Sequence, residues 1–210
     1  MVPGLPSPLV SPPGIDALAI RHGESEWNAS GRWQGQADPP LTDRGRRQAV
    51  AAGQLLAREL RFDAITASDL RRAAETATII GQVIGTPVTR LDPRLQENHA
   101  GEWEGLTRDE IHRDWPGVLD VDGRPPGFET YESTVARMRA ALVDTAGALA
   151  PGSRLLVVGH SGAIRSLRRA VGGDDVRIAN LGGFWFHVDG ESITPGASVA
   201  LLQQQTTNLE

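Results

Sequence analysis

The sequence predicts an α/β protein: a three-layer α/β/α sandwich around a largely parallel mixed sheet. Three observations predict it. Apolar runs of strand length alternate along the chain with stretches whose apolar residues recur at helical spacing. The two cleanest runs, residues 16–20 and 154–159, are almost continuously apolar, as strands buried on both faces must be. Both break abruptly into polar, glycine-containing segments, His22-Gly23 and His160-Ser161-Gly162, and in such sheets the carboxyl ends of strands are where ligands bind.

The elements follow in order. After the first strand, glycine and proline punctuate the chain as far as Pro40. From Thr42, a fair N-cap, Ala49, Ala52, Leu56 and Leu60 keep helical spacing. A second strand covers 63–67. Ser68 then caps a helix whose inner face is Ala73, Ala77, Ile80 and Ile84, stopped by Gly85. A weak strand at 86–90 leads into an irregular region with one short helix at 108–115. Val135, Met138, Leu142, Ala146 and Leu149 mark a long helix ended by Pro151-Gly152. The strand at 154–159 runs into His160-Ser161 and a helix through Val171. Residues 184–188 and 198–202 read as late strands.

With 210 residues and no repeat, the expectation is one domain over residues 15–205. A proline-rich extended leader (1–14) precedes it and a short tail (206–210) follows. The first thirteen residues hold five prolines and no basic residue, unlike a signal peptide, and no apolar run approaches membrane length, so a cytoplasmic location without membrane contact is expected. There is no cysteine, which removes thiolate nucleophiles, disulfides and thiolate metal sites. There is also no lysine: all 21 basic side chains are arginine, so Schiff-base chemistry and a P-loop lysine are excluded. A net charge of −5 argues against a nucleic-acid partner. Any anion site must be a local arginine–histidine pocket.

Arg21-His22 and His160 follow the two best strands and converge on one sheet edge. Arg72, beside Arg71 in the first turn of its helix, opposes the helix macrodipole unless an anion sits there; a guanidinium fork suits two phosphate oxygens. In the glycine-rich segment 95–105, Glu97, Glu102 and Glu104 are all candidate carboxylates, and composition does not choose among them.

Arg21-His22-Gly23-Glu24-Ser25-Glu26-Trp27-Asn28 resembles the signature of the histidine phosphatase superfamily, in its phosphoglycerate-mutase-like branch. It is joined in the same order by Ser68-Asp69-Leu70-Arg71-Arg72-Ala73 with Thr76, by Glu97 with Gly101-Glu102-Trp103-Glu104-Gly105, and by Val157-Val158-Gly159-His160. The resemblance spans roughly residues 16–170. It implies a phosphoglycerate-mutase-like fold and a small-molecule phosphate ester as substrate, with no cofactor and no metal. It implies His22 as the nucleophile, Glu97 as the proton donor, and Arg21, Arg72 and His160 around the phosphate. Asn28 and the backbone N–H of Ser161 are implied as further donors; serine stands here where glycine commonly follows the second histidine. Glu129, in Pro126-Gly127-Phe128-Glu129-Thr130, matches a family element at the pocket rim. Trp33, Gln34, Gly35 and the His99 loop are similar to the rim of glucosyl-3-phosphoglycerate phosphatases. Dimers are common in the family, and Phe184-Trp185-Phe186 is either an interface or a core strand.

The expected activity is therefore a metal-independent phosphomonoesterase working through phosphohistidine. A cofactor-dependent phosphoglycerate mutase is the alternative. It is disfavoured because the mutases that the chain resembles carry a longer insertion with basic residues that grip the substrate carboxylate, whereas residues 106–131 are short, contain Asp109, Asp114, Asp120 and Asp122, and have no lysine. Gly159-His160-Ser161-Gly162-Ala163 nearly matches a serine-hydrolase elbow, with His187 and Asp174 or Asp175 to complete a triad. Asp120-Val121-Asp122 echoes the paired aspartates of magnesium-dependent phosphatases but follows no strong strand. A non-catalytic phosphate-binding protein is the third rival, and an intact His22, Glu97 and His160 speak against it.

Overall fold

The computed structural model describes residues 13–121 and 123–202. Of the expected leader only Pro13 and Gly14 fall within them, and the tail and Asp122 lie outside. Six strands form one sheet: β1 (Ile15–Arg21), β2 (Ala64–Ala67), β3 (Val88–Leu91), β4 (Arg154–Gly159), β5 (Gly182–Asp189) and β6 (Ser192–Ala200). Their order is β3-β2-β4-β1-β5-β6. The first four are parallel to their neighbours, and β5 and β6 add on antiparallel. The helices are α1 (Glu26–Ala29), α2 (Asp43–Glu59), α3 (Arg71–Ile84), α4 (Arg108–Asp114), α5 (Tyr131–Gly147) and α6 (Ser161–Ala170).

Strand alternation distributes the apolar side chains to two cores. Ala17 and Ala19 of β1, with Leu155 and Val157 of β4, face the inner sides of α5 and α6, including Met138, Leu142, Ile164 and Leu167. Leu18 and Ile20, with Leu156 and Val158, face α2 and α3 through Leu56, Ala77 and Ile80. This explains why β1 and β4 read as unbroken apolar runs: each of their faces has a helical layer to bury against. Phe184 and Phe186 enter the first core and Trp185 the second, all at 0–1% exposure, so this run is a central strand of the monomer. Among the described residues no helix is long and apolar enough to cross a membrane.

Helix boundaries follow local chemistry, with one correction. Thr42 caps α2 by accepting from the Gly45 amide at 2.9 Å, and Gly85 ends α3 at φ +75°. Ser68 is not the cap of α3. That position belongs to Leu70, which has no side-chain cap bond, while Ser68 Oγ accepts only from the Leu70 amide at 3.3 Å. The first α3 amide, that of Arg71, instead donates to Asp38 Oδ1 at 2.7 Å, a cap supplied from 33 residues away. The final strand is also longer and earlier than the apolar signal at 198–202. β6 is an edge strand with only Ile193 and Val199 buried, so its sequence lacks the pattern of a core strand.

The β1–β5 pairing is tight at Gly183, where a Cβ would lie 1.9 Å from the Ala19 carbonyl oxygen. Gly183→Ala is therefore expected to cost at least about 1–3 kcal/mol in urea unfolding, as an overpacked strand contact does. Gly147→Ala, whose Cβ would meet nothing within 4 Å, is the control and leaves stability unchanged or raised.

Candidate active site

The parallel register of β1 and β4 builds the site. Arg21 pairs with Gly159, so His22 and His160 are the next residues out of two adjacent strands. The His22 amide continues the ladder to the Gly159 carbonyl at 3.0 Å. Neighbouring strands lie about 4.8 Å apart, and the two imidazole centroids are 5.2 Å apart with their planes inclined by 60°. Both rings are buried.

His22 Nδ1 lies 2.6 Å from the carbonyl oxygen of Gly23. A carbonyl can only accept, so Nδ1 carries the proton and the lone pair falls on Nε2. Burial first, and then the charges of Arg21 and Arg72, hold this imidazole well below the ordinary value of 6.5, against the opposing effect of the Gly23 bond. The ring is thus neutral at neutral pH. His160 is pushed down in the same way by burial, then Arg72, His22, Arg21 and Arg137. Neither of its nitrogens has a hydrogen-bond partner among the described residues. The turn after His22 is fixed from two sides. The Gly23 amide donates to Thr76 Oγ1 at 3.1 Å, and that hydroxyl donates to the Arg72 carbonyl at 2.6 Å. On the other side, Asn180 Nδ2 donates to the His22 carbonyl at 2.9 Å.

Arg72 is fully buried, and its Nη1 and Nη2 donate to the carbonyls of Ala37 at 2.7 Å and Gly35 at 2.9 Å. Its Nε has no partner among the described residues. Burial lowers its pKa to about 10, with Glu97, Asp38 and Glu104 opposing, so it keeps its charge at neutral pH. Arg21 donates to the Ile178 carbonyl at 3.3 Å and is likewise held below its usual value by burial, with Arg177 adding to the effect and Glu97 opposing it.

Glu97 lies across the start of α6. Its Oε1 accepts from the amides of Asn98 at 3.0 Å and Ala163 at 2.9 Å, and its Oε2 from that of Gly162 at 3.0 Å. His160, at the N-cap position of α6, makes no side-chain cap bond, so Glu97 serves the helix amides in its place.

Arg21, His22, Arg72 and Glu97 line one cavity of about 840 Å³; His160 is not a lining residue, and its ring stands beside that of His22, 5.2 Å between centroids. Of the expected rim, Trp33, Gln34, Gly35 and Glu129 line this cavity. Asn28, Ser161 and His99 are not lining residues. Asn28 Oδ1 accepts from the Ser25 amide and from Asn180 Nδ2, and His99 Nδ1 accepts from the Gly101 amide at 2.9 Å. Sequence reasoning missed Arg124, Arg165 and Arg169, which line the outer cavity, and Asn180 and Arg137, which act through the backbone. The i,i+4 spacing of Arg165 and Arg169 on α6 was the available signal for that pair; Asn180 left none.

The serine-hydrolase arrangement is excluded. His187 pairs with Asp16 at the start of β1, its Nδ1 2.9 Å from Asp16 Oδ1. That is about five strand residues, roughly 17 Å, from the end of the sheet that carries Ser161. Asp175 pairs with Arg165 at 2.6 Å instead. Among the described residues no group of three His, Cys, Asp or Glu side chains is arranged to hold a metal ion.

The geometry predicts that ¹⁵N NMR of the free enzyme finds His22 with its proton on Nδ1, and that its protonation midpoint lies below pH 6.5. Because the shift is downward, the neutral ring persists at and above that pH and is lost only on further acidification. A midpoint at 6.5 or higher, or an Nε2–H tautomer, contradicts it.

The model of the histidine phosphatase superfamily (branch 1) matches residues 17–184. A glucosyl-3-phosphoglycerate phosphatase of Mycobacterium tuberculosis (strain ATCC 25618 / H37Rv) is 37% identical over 166 residues, covering 73% of this chain and 74% of the relative. A probable phosphoglycerate mutase of Photorhabdus laumondii is 42% identical over 162 residues, covering 73% of each. Among solved structures, a mycobacterial glucosyl-3-phosphoglycerate phosphatase complexed with VO3 superposes with a TM-score of 0.77 at 31% identity, covering 86% of this chain and 95% of that one. With its sheet, its paired histidines and a family match across most of its length, this chain belongs to branch 1 of the histidine phosphatase superfamily.

Proposed function

We propose that this enzyme hydrolyses phosphate monoesters of small metabolites without a metal ion, through a phosphohistidine on His22 Nε2. The observation that carries the reading is the short Nδ1 contact to Gly23, which leaves a neutral ring with its nucleophilic lone pair on the other nitrogen, beside two charged arginines. In the first step Nε2 attacks phosphorus as the ester oxygen departs in line. Arg21, Arg72 and His160 hold the equatorial oxygens, where charge is greatest, and no covalent help is needed beyond the nucleophile. Glu97 gives a proton to the leaving alkoxide. Its Oε2, with one amide donor where Oε1 has two, is the oxygen with room to carry that proton. In the second step the same carboxylate takes a proton from the water that attacks phosphohistidine, and phosphate is released.

The cavity is several times larger than a phosphoryl group. Its outer part combines Trp33, Phe128 and Tyr131 with Arg124, Arg165 and Arg169. That lining suits an organic portion with a flat or apolar face and a second negative charge. Esters of the phosphoglycerate type, such as the one in the name of the mycobacterial relative, are the substrate class this supports. A cytoplasmic setting belongs to the same reading.

Two assays test it. With p-nitrophenyl phosphate and a simple alkyl phosphate in excess chelator, the wild type turns over both and His22→Ala neither. Glu97→Gln slows the alkyl ester by about 10²-fold or more, within the range for a lost general acid, and the nitrophenyl ester much less. Equal losses for the two esters remove Glu97 from the acid role. The name of the Photorhabdus relative supports a second reading, mutase activity. Product analysis with 3-phosphoglycerate separates them: glycerate and phosphate are expected, and accumulation of 2-phosphoglycerate instead reverses the assignment.

A further inference from the structure

Arg137 sits in the second turn of α5 with most of its side chain covered, and nothing in the chemistry above uses it. Its guanidinium has five N–H donors, and all five are bonded. Nε and Nη2 take the two oxygens of Glu129 side by side, each at 2.8 Å. The other three reach the loop that carries Glu97: Nη1 to the carbonyls of Arg94 at 2.8 Å and Gln96 at 2.6 Å, and Nη2 to that of Glu97 itself at 3.1 Å. Glu129 is held in turn by Ser133 Oγ at 2.9 Å and by the His99 amide at 3.4 Å. Its acceptor sites are therefore occupied from within the protein, although it borders the cavity.

Two sets of bonds thus meet at Glu97. The backbone is gripped by Arg137 from α5, and the carboxylate by the amides that open α6. We propose that Arg137 is a positioning residue for phosphoryl transfer, fixing the main chain at Glu97 so that its carboxylate meets the departing oxygen, and that Glu129 is the counter-ion of this clamp, with no direct bond to substrate. The inference rests on Glu97 being the proton donor. A planar fork is required because three carbonyls and one carboxylate lie around one plane; lysine keeps the charge but offers three donors from a single point.

The test is Arg137→Lys, compared with the wild type on an alkyl phosphate and on p-nitrophenyl phosphate. A displaced acid group costs on the order of 10–100-fold in kcat for the alkyl ester. The nitrophenyl ester, whose leaving group needs no proton, loses only a few-fold, and KM for both stays near the wild-type value. Adding Arg137→Lys to Glu97→Gln produces no further loss on the alkyl ester, because Arg137 acts only through the group already removed. Equal losses for the two esters, or multiplicative losses in the double variant, overturn the proposal. Should Arg137→Lys fail to fold, Glu129→Gln carries the same comparison, with a smaller loss in the same direction expected. Unfolding of both variants also overturns it, leaving a purely structural clamp. Failure of the parent reading is separate: the single Glu97→Gln variant then shows no dependence on the leaving group, whatever Arg137 does.

Discussion

The structure is organised around positive charge buried without a carboxylate partner. Among the described residues neither Arg21 nor Arg72 makes an ion pair, although Arg72 is wholly enclosed. Carbonyl dipoles from Gly35, Ala37 and Ile178 offset part of the desolvation, which for a lone buried ion amounts to several kcal/mol. In the proposed reaction the phosphoryl oxygens supply the rest. Burial first, and then the same positive field, keeps both histidines unprotonated, so under the proposed chemistry the feature that would attract phosphate also keeps the His22 ring available. A carboxylate in contact with Arg72 would offset the cost of burial and, in the proposed reaction, compete with the phosphoryl group.

Such a site needs a frame that cannot yield, and the sheet provides it. Side chains alternate along a strand, so slipping β1 by one residue against β4 would send Leu18 and Ile20 into the wrong core and turn His22 away from His160. The apolar residues that fix the register therefore fix the spacing of the two histidines as well. Thr76 extends this control to α3, since one hydroxyl binds both the Gly23 amide and the Arg72 carbonyl. The proposed nucleophile and the proposed phosphate-binding arginine thus come from different elements but are joined through two hydrogen bonds.

What could be read in the sequence and what could not divides along the range of the interactions. β1, β2 and β4 and the inner faces of α2, α3 and α5 are legible because burial imposes a period on neighbouring residues. The strand-end histidines follow from those strands, and the arginine against the dipole of α3 marks itself by local electrostatics. The true cap of α3 is invisible, because Asp38 reaches Arg71 from another loop and leaves Ser68 looking like the better choice. β6 is half hidden, because an edge strand with two buried residues has little period to display. Asn180 and Arg137 bind backbone carbonyls, which every residue type presents alike, so no pattern in the partner segment announces them.

A chain whose basic residues are all arginine allows its buried guanidiniums to be compared on equal terms. Arg137 has a carboxylate on one edge, carbonyls on the other and no donor to spare. A guanidinium so satisfied has no bond left for a ligand, and its contribution is to hold other groups in place. Arg72 is buried more completely, yet it has carbonyls only, an unbonded Nε and a pKa drawn down to about 10. Its environment is incomplete in the one respect that a dianion would complete. The two side chains are chemically identical, so the roles proposed for them differ only through the partners around them: a full set of acceptors with matched charge suits a clamp, and an open donor with unmatched charge suits a binding site.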